Sequence, residues 1–232
     1  MPSEVVLLHL DDHQDMMSPR IGKRPDGKLF DYITGDSLSL DDPTSIEAAI
    51  LSGAIGKGSI LTPLIWSVDK IHVRHLCFRP HSYDFYHIER TLISDPLLSK
   101  TKNKISINLQ PAHQEESMSS SNYVVTPDIE EWLKDIPKDV PILLHIDMDY
   151  FNDRFDGNSG WKKENKRVHD VSLENQLKQI GLVFSGLQQK NIIHQIVDTS
   201  IGISPGFYPA EFWSETVPEV LRTCEKVGIK LE

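Results

Sequence analysis

Two short stretches, more than a hundred residues apart, each set carboxylates and imidazoles directly after an apolar run. Leu7-Leu8-His9-Leu10 leads into Asp11-Asp12-His13-Gln14-Asp15, and Ile142-Leu143-Leu144-His145-Ile146 leads into Asp147-Met148-Asp149. Buried charge is costly unless it is paired or bound to metal, so both junctions need a compensating partner. An isolated Asp is most often a turn former. Two clusters with the same i, i+2 spacing at two strand ends point instead to metal. Side chains alternate along a strand, so Asp11 and His13 share one side, as do Asp147 and Asp149. Asp15 is expected to reach back from the first turn beyond the strand. If the two strands are neighbours, four Asp and one His meet in a small volume, where mutual repulsion demands cations. Oxygen-rich ligation with one or two imidazoles suits Mn²⁺, Zn²⁺ or Fe²⁺, and hard carboxylates favour Mn²⁺. A pair of such ions can lower the pKa of a water held between them, which is hydrolytic chemistry.

The elements that must position these groups read as alternating strands and helices. Strands are expected over Glu4–Leu10, Leu61–Trp66, Lys70–Phe78, Val140–Ile146 and Ile192–Val197. The Pro-, Gly- and Asp-rich segment Met16–Asp42 reads as a long irregular connection, and the polar stretch Thr101–Asn122 as a solvated loop. A helix over Ile46–Ala54 would be capped by Thr44 or Ser45 and ended by Gly56 and Gly58. Thr126 would cap a short helix through Leu133. A glycine- and charge-rich loop spans Asn152–Arg167. Leu173, Leu177, Ile180, Val183, Phe184 and Leu187 recur at helical spacing within Ser172–Gln189, and a closing helix falls within Pro209–Val227. The pattern predicts one α/β domain over residues 1–232, three-layer αβα, with a mostly parallel sheet. In such sheets ligands gather outside the carboxyl ends of the strands, where both clusters lie.

Composition bounds the function. The 232 residues suffice for one substantial core. A net charge of −10 argues against nucleic-acid or anionic-membrane partners and is compatible with a cationic substrate. Cys77 and Cys224 have no redox or metal-binding spacing and read as reduced thiols. With no long apolar run and no leader-peptide pattern, a cytoplasmic protein is expected. Neither a phosphate-binding loop nor a nucleophile elbow is present.

Asp11-Asp12-His13-Gln14-Asp15 resembles the Asp-Ala-His-x-Asp motif of the arginase and agmatinase (ureohydrolase) superfamily. His145-Ile146-Asp147-Met148-Asp149-Tyr150-Phe151-Asn152 resembles its Ser-x-Asp-x-Asp-x-x-Asp motif. The resemblance implies an arginase/deacetylase-like fold and two Mn²⁺ ions, with Asp11 and Asp147 bridging, Asp15 on one ion, and His13 and Asp149 on the other. Two positions depart from the family pattern: His145 replaces the serine and Asn152 the last aspartate. The family's upstream histidine segment has no counterpart ahead of Asp11, so a further ligand is expected from elsewhere. His169 and His87 are candidates. His9 shares the face of Asp11 and is open to either a ligating or an orienting role.

The ureohydrolases hold the substrate guanidinium with a strand-end carboxylate, a role the resemblance gives to Asp198 in His194-Gln195-Ile196-Val197-Asp198-Thr199. Ile203-Ser204-Pro205-Gly206-Phe207-Tyr208-Pro209 would form a rigid pocket wall, and Glu211 reads as a first-turn helix acid. The three motifs together look closest to a divergent branch of the superfamily that includes bacterial peptide arginases. It implies hydrolysis of arginine within a precursor peptide to ornithine and urea, with Asp149, Asp198, His145 and His169 as catalytic groups. Alternatives are a metal-dependent amide hydrolase or deacetylase of the same fold, whose tandem histidine pair is missing here, and a non-catalytic binding module.

Overall fold

In a computed structural model, residues 2–78, 84–112, 120–154 and 170–231 are described. The chain is mixed α/β and falls into two compact units, passing repeatedly between them. One comprises Val5–Asp12, His72–Phe85 and Tyr123–Glu232, and the other Met1–Glu4, His13–Ile71 and Tyr86–Asn122.

The first unit is built on β1 (Glu4–Leu10), β5 (Lys70–Leu76), β8 (Asn122–Thr126), β9 (Ile142–Asp147) and β10 (Ile196–Gly202), hydrogen-bonded in the order β10-β9-β1-β5-β8. The pairings of β9 with β1 and with β10 are parallel, with His9 opposite His145 and Gly202 opposite Asp147. Because side chains alternate, Val6, Leu8 and Leu10 of β1 and Ile142, Leu144 and Ile146 of β9 turn to one face. There they join one buried apolar cluster with Ile180, Val183, Phe184 and Leu187 of α4 (Leu173–Gln189) and with Val220 and Cys224 of α5 (Trp213–Val227). The i, i+3, i+4, i+7 spacing in α4 is what gives that helix a single apolar side. Ser172 caps it, its hydroxyl accepting from the Asn175 N–H at 3.4 Å. The opposite face of β1 carries His9 and, just past the strand end, Asp11.

The second unit carries β2 (Ile21–Lys23), β3 (Leu29–Asp31), β4 (Ser37–Leu38), β6 (Asp84–Asp95) and β7 (Ser99–Pro111), in the order β6-β7-β2-β3-β4 with every pairing antiparallel. The strands of the protein are therefore mostly antiparallel, which corrects the expectation of a mostly parallel sheet. The cause is local. The Met16–Asp42 segment makes hairpins whose turns use positive φ at Gly27 (88°) and Gly35 (81°), and a short turn can join only antiparallel neighbours. The polar stretch after Thr101 is likewise largely strand. Ile105, Ile107 and Leu109 alternate with polar residues across from β6, and polar character masked the period of two.

Three further boundaries differ from the sequence reading. Leu61–Trp66 is helical (α2, Leu61–Ser67), and Pro63 sits in its first turn, where no intrahelical N–H is needed. Helix α1 (Pro43–Ser52) starts earlier than expected, capped by the Asp42 carboxylate on the Thr44 N–H, and ends at Gly53 with φ 83°. The short helix α3 (Ile129–Trp132) takes Asp128 rather than Thr126 as its cap. The Asn152–Arg167 loop lies mostly outside the described residues. Among those described, no helix is long and apolar enough to cross a membrane.

Burial sets two expectations. Phe184 is buried against the sheet whereas Leu182, two residues away, is 48% exposed. Phe184→Ala should lower the unfolding free energy by about 3–5 kcal/mol and Leu182→Ala by about 0.5 kcal/mol or less, as read by urea denaturation. Burial also pushes the Cys224 thiol up to about 11. The folded state therefore holds that proton more tightly than the unfolded chain, and the contribution is lost as pH rises from about 9 toward 11. The stability difference between wild type and Cys224→Ala should shift in favour of the variant across that range.

Candidate metal centre

Parallel pairing of β1 with β9 brings the two acid-bearing junctions together. Leu10 lies opposite Ile146, so Asp11 and Asp147 leave adjacent strands side by side. One register step earlier, His9 faces His145, and their Nδ1 atoms are 2.8 Å apart. His9 is fully buried, and Asp11 is 1% exposed. Donor atoms of His9, Asp11 and His145 all lie within 4.8 Å of one another, a set of two imidazoles and a carboxylate able to hold a metal ion. Its mixed nitrogen and oxygen donors fit a first-row divalent cation.

Asp11 is held from several sides. Its N–H donates to the Leu76 carbonyl at 3.3 Å. Its own carbonyl accepts from His75 Nε2 at 2.9 Å, and His75 Nδ1 is 2.6 Å from the Tyr123 hydroxyl. Donation from Nε2 leaves Nδ1 as the acceptor of the tyrosine proton, so one neutral tautomer of His75 satisfies both bonds. His75 and Tyr123 are buried, and the His75 and His9 ring centroids are 4.5 Å apart. Imidazoles from three adjacent strands, β5, β1 and β9, thus form a row beneath the carboxylates. The Asp12 N–H donates to Asp149 Oδ1 at 3.2 Å, which fixes the Asp149 carboxylate, itself 1% exposed. Burial pushes the His145 imidazole down to about 4, against the opposing pull of the Asp149 charge, so it is neutral at pH 7 and able to act as a ligand or acceptor.

Asp147 meets a further constraint. A Cβ added at Gly202, its neighbour on β10, would come within 3.3 Å of the Asp147 carboxylate carbon. Glycine there leaves room for the carboxylate at the strand end. His13 and Asp15 begin the other unit. Asp15 has φ 52°, a left-handed conformation that Asp tolerates, and its carbonyl accepts from the Leu61 N–H at 3.1 Å.

The remaining predicted residues are placed differently. Asp198 is exposed and lies opposite Leu143, four register positions before the Asp147 level, because β10 begins at Ile196 rather than ending at Val197. At about 3.3 Å per residue that is roughly 13 Å from the strand end, and the structure does not bring Asp198 to the cluster. Its carboxylate accepts from the Thr199 N–H. His87, on β6, lies 3.1 Å from the Ser120 hydroxyl. His169 is outside the described residues. Asn152 donates to Asp170 and to the Val171 carbonyl, and Arg154 pairs with Asp170 and Glu211, so Glu211 is an ion-pair partner rather than a bare helix-start acid. The Ile203–Pro209 segment is a tight turn in which the Ser204 carbonyl accepts from the N–H groups of Phe207 and Tyr208.

Sequence reasoning missed His75, Tyr123, Asp12 and Gly202. His75 carried one signal, an imidazole near the end of an apolar strand like His9 and His145. Comparison with protein-family models finds no match, and comparison with curated proteins finds none.

Tyr123→Phe removes the hydroxyl that bonds His75 Nδ1 at 2.6 Å. The variant should lose about 1–3 kcal/mol of stability in chemical denaturation, with the metal-ligand candidates untouched.

Proposed function

We propose that the protein is a metal-dependent hydrolase of arginase-like type that converts arginine, within a peptide, to ornithine and urea. The observation that carries this reading is the pairing of β1 with β9. It sets Asp11 beside Asp147 and buries His9, Asp11 and His145 within donor range of one another at the carboxyl ends of parallel strands. The motif resemblance to the ureohydrolases supports the reading through Asp11 and Asp147 alone, since His9 and His145 lie outside the ligand set that it implies.

Asp11, Asp147 and Asp149 would hold two Mn²⁺ ions. The bound ions would supply a water acidic enough to be a nucleophile near neutral pH and would offset negative charge in the transition state. The chain's own groups do the rest. Asp149, oriented by the Asp12 N–H, accepts a hydrogen bond from the attacking water and then passes the proton to the departing amine. The water oxygen bonds to the guanidinium carbon, and the carbon–nitrogen bond to the departing amine breaks as urea forms. The net charge of −10 over the whole chain favours a cationic substrate. The choice of a peptide over free arginine follows the branch of the superfamily that the three motifs resemble.

Protein loaded with Mn²⁺ and given a panel of arginine-containing peptides should release urea, with mass spectrometry showing loss of one CN₂H₂ unit per modified arginine. Chelation should abolish both, and Asp11→Asn should lose metal occupancy by elemental analysis. Urea from free arginine or agmatine with no peptide modified would overturn the peptide step. A stable wild-type protein that takes up no metal would overturn the hydrolase reading in favour of a binding module.

A further inference from the structure

Resting on the metal-centre reading, we infer that His9 is a histidine ligand of this centre, and that His145 is not a second ligand but the residue that orients it. The inference comes from counting protons across one hydrogen bond. His9 Nδ1 and His145 Nδ1 are 2.8 Å apart, so a proton lies between them and belongs to one ring. Each neutral imidazole carries one N–H and one lone pair. If His9 holds the proton, its Nε2 lone pair can face a metal, and His145 accepts at Nδ1 and carries its own hydrogen at Nε2. If His145 holds it, the roles reverse. The neutral pair supplies one ligand in either case, never two.

The surroundings choose between the two arrangements. His9 Nε2 lies 3.6 Å from Asp11 Oδ2. That is too long for an N–H···O hydrogen bond, whose limit is about 3.2 Å. Two donors at about 2.1 Å from one ion stand roughly 3.0–3.4 Å apart, so a small shift of either side chain would bring both atoms onto the same ion. His9 belongs to β1 and Asp11 follows it at i+2, on one side and both fully or almost fully buried, so the strand itself sets their spacing. A ligating imidazole ordinarily donates its other N–H to an acceptor that fixes the ring, and His145 Nδ1 is that acceptor. The row continues on the other side of His9 with His75, whose Nε2–H is already committed to the Asp11 carbonyl at 2.9 Å, so His75 positions Asp11 and is not a ligand. The serine-to-histidine departure at position 145 then has a reason. The ligand stands on β1, and β9 supplies its orienting partner.

Two measurements test the assignment. Long-range ¹⁵N–¹H correlation spectra of the wild-type protein loaded with Zn²⁺ should show His9 protonated at Nδ1 and His145 protonated at Nε2; the reverse pattern overturns the assignment. Titration with Co²⁺, followed by its visible absorption, should show at least roughly a hundredfold weaker binding for His9→Ala. His145→Ala should bind roughly 10- to 100-fold more weakly. His145→Asn, which keeps an acceptor oxygen near the Nδ1 position, should recover most of that loss, as a ligating His145 would not allow. Undiminished Co²⁺ binding by His9→Ala, or no recovery in a folded His145→Asn, overturns the assignment while leaving the metal-centre reading in place. Failure of the wild type itself to take up Co²⁺ or Zn²⁺ overturns both.

Discussion

The parallel hydrogen bonding of β1 to β9 is the constraint on which the candidate site depends. It sets His9 opposite His145 and releases Asp11 and Asp147 from neighbouring strand ends at the same level. A shift of one residue in that register would turn the acids of one strand toward the helix-covered face. It would also take the apolar residues of that strand, Leu8 and Leu10 or Leu144 and Ile146, away from α4 and α5. The buried cluster they share with those helices is continuous, so the loss would be large. Packing of the apolar face therefore enforces the alignment of the polar one.

Around that pairing the protein places groups that hold others still. Tyr123 and His75 fix the Asp11 backbone, the Asp12 N–H fixes Asp149, and Gly202 leaves space for Asp147. Most of these contacts run between β5, β8, β1, β9 and β10, so the site is supported by strands rather than by loops. Rigid support of this kind keeps ligand geometry within the narrow tolerance that metal chemistry needs. The buried, neutral His145 follows the same logic, because a positive imidazole would be costly away from water.

Much of the candidate site was legible in the residues. The repeated pattern of an apolar run followed by acids at i, i+2 marked the ends of β1 and β9 as sites that would meet if the strands were neighbours, and the two strands do pair in parallel. The helical period of residues 173–189 was equally plain, because a long helix repeats its apolar side several times. Short apolar runs were not decidable in this way. Leu61–Trp66 suits either a strand or a buried helix by periodicity, and only Pro63 in a first-turn position carried the difference. The hairpins of β2, β3 and β4 were hidden because these strands are two or three residues long, too short to display a period.

By itself, then, the sequence determined which residue types stand at the two strand ends, Asp11 and Asp147 among them, because residue type and spacing along a strand are local properties. Tertiary structure alone decided which imidazoles join them. His75 and His145 reach His9 across strand pairings between segments far apart in the chain, and such registers are set by packing over the whole sheet. It also decided against Asp198, whose place on β10 follows from where the strand begins, a boundary that depends on hydrogen bonding to β9 and not on the residues of β10 alone.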